Sequence, residues 1–96
     1  MSNSLSKAAH NAIKLMFEAE QRDDLDAAEI VEEGREVWIG YKRTTVAVLY
    51  ELLYAVLIRD VSLNNDSMRR YTLNEDGRKA VADPTWRPPE MLGKIR

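Results

Sequence analysis

The chain has no cysteine, a single histidine and a single phenylalanine in 96 residues. Without cysteine there are no disulfides and no thiolate metal ligands. His10 is the one imidazole and sits among small apolar residues, so it reads as a surface or boundary residue rather than a base. Carboxylate pairs such as Asp23/Asp24 and Glu32/Glu33 lack histidine or cysteine neighbours, and they suit capping and solvated faces better than metal or acid–base chemistry. Glycine is scarce, at four residues, and none of them builds a phosphate-cradling loop. The longest apolar stretch is Thr44–Ile58, with Glu51 its one charge. It falls short of the ~20 residues that cross a bilayer. A basic-then-apolar leader pattern is missing as well, so a cytoplasmic location is expected, with no membrane, cofactor or metal and no enzymatic activity.

What is present is ordinary for one globular domain: 45% hydrophobic and 31% charged residues, with a net charge of −2. The charge is polarised along the chain. Residues 1–33 carry eight acids against three bases, a balance of −5, and residues 34–96 carry eleven bases against eight acids, a balance of +3. The expected organisation is one domain over residues 1–83 and a Pro-containing tail over residues 84–96. That tail holds Trp86, Met91, Leu92 and Ile95 and is expected to dock on the domain or on a partner.

Apolar positions Leu5, Ala8, Ala9, Ala12, Ile13, Met16 and Phe17 follow helical spacing and predict a helix over Leu5–Gln21 with Ser4 as its cap. A second, shorter helix is predicted over Leu25–Glu33, with Asp24 as cap and Gly34 past its end. Glu36–Tyr41 reads as a strand limited by Gly40, and Lys42–Thr45 as a basic turn. A central helix follows over Thr45–Val56. Its expected core face is Val46, Leu49, Tyr50, Leu53, Val56 and Leu57. Leu57–Val61 and Met68–Leu73 read as a hairpin with Ser62–Ser67 at its tip, and Asn74 caps a last helix over Glu75–Ala82.

The run Tyr71-Thr72-Leu73-Asn74-Glu75-Asp76-Gly77-Arg78 resembles the Y-x-L-T-x-x-G-R signature that closes the wing of many winged helix-turn-helix proteins, among them MarR-like and PadR-like regulators and small phage and bacterial proteins. Leu49, Leu53 and Val56-Leu57-Ile58-Arg59 are similar to the end of the recognition helix and the start of the wing in that family. The likeness spans Thr44–Ala82. Asn74 replaces the usual Thr, Ala55 stands where a helix-ending Gly is usual, and the strand before the central helix occupies the place of the family's second helix. The resemblance implies an α+β, winged helix-turn-helix-like domain of three to four helices with a small antiparallel sheet and a wing hairpin.

Two functions from different classes follow. The first is a dimeric transcriptional regulator that holds duplex DNA with Lys42, Arg43, Thr44, Thr45 and Tyr54 near the central helix and with Arg69 and Arg70 on the wing. The second is a protein-interaction module on the same fold, a phage-type inhibitor or an assembly subunit. It would use the outer side of the central helix at Val48, Leu52 and Tyr54 together with Trp86. The central helix is apolar nearly all round and offers no Arg, Lys, Asn or Gln to read a base edge, which favours the second class.

Overall fold

The computed structural model describes residues 5–63 and 67–83, and the fold is α+β with three helices and a five-stranded antiparallel sheet. The elements in order are α1 (Lys7–Gln21), β1 (Ile30–Glu33), β2 (Glu36–Ile39), β3 (Lys42–Thr44), α2 (Val46–Tyr54), β4 (Ile58–Asp60), β5 (Arg69–Leu73) and α3 (Glu75–Ala82). The tail over residues 84–96, with Trp86, lies outside the described residues, as does part of the expected hairpin tip.

Strand order in the sheet is β3-β2-β1-β5-β4. The first three strands form a meander with two tight turns. Glu33 pairs with Glu36 around Gly34-Arg35, and Ile39 pairs with Lys42 around Gly40-Tyr41. Each turn opens on a glycine at positive φ, +63° and +59°, the conformation that mirror-image hairpin turns require. β4 and β5 form a separate hairpin, and β1 joins it to the meander through the pairs Ile30–Tyr71 and Glu32–Arg69.

The period of two in the strands assigns the faces. Ile30, Val37, Ile39, Ile58, Tyr71 and Leu73 point to the helices and join Ile13, Met16, Leu49, Leu52 and Leu57 in one core. On the opposite face the register aligns Arg43, Trp38, Val31 and Arg70 in a row across four strands. Among the described residues this face carries no helix.

Three expectations are corrected here. The predicted helix over Leu25–Glu33 is a single turn followed by β1. Asp24 does cap that turn, accepting from the Ala27 amide at 3.3 Å, but the β-branched pair Ile30-Val31 then extends into the sheet. A left-handed glycine serves a helix end and a hairpin turn equally well, and the matching run Val37–Ile39 turns Gly34 to the second use. The basic turn expected at Lys42–Thr45 is instead strand β3, and Thr45, expected as the first residue of the central helix, caps α2. The cap of α1 is Ser6, whose hydroxyl accepts from the Ala9 amide at 3.1 Å.

Two further contacts fix how the helices sit. Glu51, the lone charge of the apolar stretch, reaches from α2 to the start of α1. It accepts from the Ser6 amide and the Ser6 hydroxyl, each at 2.7 Å. Across the α1–α3 contact, Arg78 forms a two-pronged pair with Glu20, with both N–O distances 3.0 Å.

α2 stops at Tyr54 in a two-bond left-handed cap. The Leu57 amide donates to Leu52 O at 3.1 Å and the Val56 amide to Leu53 O at 3.0 Å. The residue at positive φ in this cap is Val56, not Ala55. Asn74 then ties this corner to α3. Its side-chain amide donates to Val56 O at 2.8 Å, its backbone amide donates to Leu57 O at 3.0 Å, and its side-chain oxygen accepts from the Gly77 amide at 2.8 Å.

Candidate functional site

The sequence-predicted basic residues fall on β3 and β5, which are separated by β2 and β1. At ~4.8 Å per strand the two groups lie ~14 Å apart. They also divide between the faces: Arg43 and Arg70 project from the open face, and Lys42 and Arg69 from the helix side. Each arginine of the set has a carboxylate partner. Arg43 lies 3.5 Å from Glu36 and stacks over the Trp38 ring at 5.8 Å, and Arg70 lies 3.2 Å from Glu29. Arg69 is paired with Asp60 across the β4–β5 hairpin.

The hairpin pair has a clear electrostatic signature. The Ser62 hydroxyl and the Ser62 amide donate to the Asp60 carboxylate and Arg69 adds its charge, which together hold Asp60 down at about 2 from its ordinary 3.8. The bond to Asp60 raises Arg69 in turn. Burial raises the Tyr71 phenol, opposed by its bond with Arg69. These shifts accompany structural pairs at a strand end.

The two threonines sit at the junction of β3 and α2. Thr44 is half-buried and pairs with Val37, while the Thr45 hydroxyl is committed to the Val48 amide at 3.3 Å. Tyr54 is 81% exposed, and its ring lies 6.4 Å from that of Tyr50, tilted by 34°.

The outer face expected for α2 is rotated by about one residue, ~100° on a helix. Val48 and Leu52, expected outside, are in the core at 6% and 0% exposure. Tyr50 and Val56, expected inside, are exposed. On a helix apolar all round, periodicity leaves the phase unset. Tyrosine is the residue whose hydroxyl best tolerates water, and that signal places Tyr50 and Tyr54 outward. Trp86 lies outside the described residues.

A second feature had no sequence counterpart. A cleft runs between α1 and the edge strand β3. It is lined by Ala8, Asn11, Ala12 and Leu15 from the helix and by Ile39, Lys42 and Thr44 from the strands. It continues past Leu15 to Arg22, Gly40 and Tyr41, and Lys14 borders it on the helix side. The spacing of Ala8, Asn11, Ala12 and Leu15 marks one helical stripe, but nothing in the sequence places β3 beside it.

Among the described residues, no group of three His, Asp or Glu side chains is placed to hold a metal. The His10 Nε2 atom is covered and has no hydrogen-bond partner among the described residues. No described helix is long and apolar enough to cross a membrane.

The chain matches no model of a known protein family, no curated protein and no solved structure.

Proposed function

We propose that this protein is an interaction module that docks on another protein chain through the outer face of α2. The observation that carries this reading is the composition of that face. Tyr50, Tyr54 and Val56 are exposed there beside Ala47, and the face holds no cation. Tyrosines are strong anchors of protein interfaces because they bury a large ring at little entropic cost. The three arginines of the sequence-predicted set, Arg43, Arg69 and Arg70, are each engaged by a carboxylate, and nucleic-acid affinity depends chiefly on cations that neutralise phosphates.

The scaffold is read as a winged-helix variant in which α2 corresponds to the recognition helix and the β4–β5 hairpin to the wing. Support comes from the left-handed end of α2, the Asn74 cap and the β1-β5-β4 strand order. The β2–β3 hairpin stands where a second helix precedes the recognition helix in the family pattern. The partner is another protein or a second copy of this chain.

The test compares the wild type with a Tyr50→Ala/Tyr54→Ala variant in capture of a partner from the native host, after circular dichroism shows both folded. Loss of an anchor pair is expected to weaken capture by at least about 30-fold. Unchanged capture would overturn the reading.

The DNA reading keeps one favourable observation, the exposed Lys42 and Arg43 next to the start of α2. Duplex binding at low salt that weakens steeply as salt rises would establish it and displace the first.

A further inference from the structure

We propose a second docking site, distinct from the α2 face: the β3 edge and the cleft beside it take an extended acidic peptide segment of another protein as an added strand. Three observations converge on it.

The first is an unpaired backbone. β3 is the terminal strand of the sheet. In a hairpin closed by a two-residue turn the flanking pair, here Ile39–Lys42, exchanges both hydrogen bonds. The next pair, Trp38–Arg43, then exchanges none, so the Arg43 amide and carbonyl point away from β2 toward open solvent. These are the groups an incoming strand needs.

The second is the cleft. A strand laid along β3 would direct alternate side chains over Ala8, Ala12, Leu15 and Ile39. The small residues Ala8 and Ala12 leave room for apolar side chains there, and an edge strand flanked by a helix groove is a recurrent way to bind extended peptides.

The third is charge. Lys42, Lys14 and Glu18 border the cleft, so the lysines are in excess there, and neither lysine has an ion-pair partner among the described residues. Arg43 stands on the outer side of the same strand. A second copy paired antiparallel to β3 about the outward groups of Arg43 would set the two Arg43 side chains against each other, and like charges opposed across strands are unfavourable. The cations of this edge therefore deter self-pairing and favour an acidic partner. In the recognised sequence the cleft-facing positions carry apolar residues over Ala8 and Ala12 and one Asp or Glu beside Lys42 and Lys14, and the alternate positions face the open side with Arg43.

The experiment titrates a capped Thr-Val-Thr-Val-Thr-Glu-Thr peptide, whose valines and glutamate share one face, into isotope-labelled protein and follows amide shifts by NMR. Saturable shifts are expected at Asn11, Leu15, Lys42 and Arg43, with Tyr50 and Tyr54 unmoved. A peptide with lysine in place of glutamate is expected to give none. Lys42→Glu should weaken binding at least about fivefold. Arg43→Pro removes the outward amide and should abolish binding, while Arg43→Ala, which keeps that amide, should retain most of it. Proline is tolerated on an edge strand where the amide faces solvent, and the amide spectrum verifies the fold of each variant.

Four results would each overturn the proposal: shifts confined to the α2 face, equal response to the lysine peptide, equal binding by the proline and alanine variants, or no shift at millimolar peptide. So would equal shifts at β3 with duplex DNA, or a concentration-dependent dimer through β3 in sedimentation.

Discussion

Two residues at the α2–β4 corner set opposite expectations. Val56 is a β-branched residue held at φ +58°, a conformation that costs an L-residue roughly 1–2 kcal/mol. Half of its surface is already exposed. Val56→Gly should therefore raise stability by about 0.5–1 kcal/mol in urea melts, the extra unfolded-state entropy of glycine offsetting part of the gain. Gly77→Ala sets helix propensity, ~1 kcal/mol in favour of alanine, against space. The new Cβ would lie 2.3 Å from Leu57 O, a backbone atom held by the Asn74 amide, so space decides. A loss of about 2 kcal/mol is expected in the same melts. Asp60 carries the acid sensitivity of the β4–β5 hairpin. Its folded value lies below the unfolded one, so its contribution is present above pH 3.8 and is lost as pH falls toward 2. An NMR titration should place its carboxyl midpoint near 2, and Asp60→Asn should remove that part of the acid dependence of unfolding.

At the scale of elements, the least apolar atom group of α2 has a structural task. Glu51 closes the first turn of α1, adding both acceptors and negative charge where the helix has unpaired amides. Glu51→Ala should cost about 1 kcal/mol and Glu51→Gln about half of that, and the difference between glutamate and glutamine should shrink in high salt, read by thermal melts across ionic strength. Which elements were legible follows from the range of their determinants. α3 carries its own cap, acids first and a base last, and its predicted bounds hold. Asn74 as a cap was equally local. The Leu25–Glu33 segment was not legible, because Gly34 fits a helix end as well as a hairpin and the pairing partner lies in the next strand. The phase of α2 was hidden for a related reason: with apolar residues on every side, only contact with α1 and the sheet distinguishes Leu52 from Tyr50.

At the scale of the molecule, the cations were visible in the sequence but their partners were not. Glu29 meets Arg70 and Glu36 meets Arg43 only through strand register, which turns a basic sequence patch into paired surface charge. The α1–β3 cleft is likewise a product of topology. The sheet has one further consequence, for kinetics. The meander and the β4–β5 hairpin are each closed by short connections, but the joint between them pairs Ile30 with Tyr71, 41 positions apart. Closing that loop spends chain entropy before distant contacts repay it, so this joint is expected to set the folding rate. Ile30 is fully buried and packs between Ile39 and Tyr71. Ile30→Val should cost about 1 kcal/mol, and in stopped-flow chevrons most of that loss should appear as slower folding, with the unfolding limb nearly unmoved. The two halves of the chain would then be assembled as preformed hairpins that wait on a single encounter.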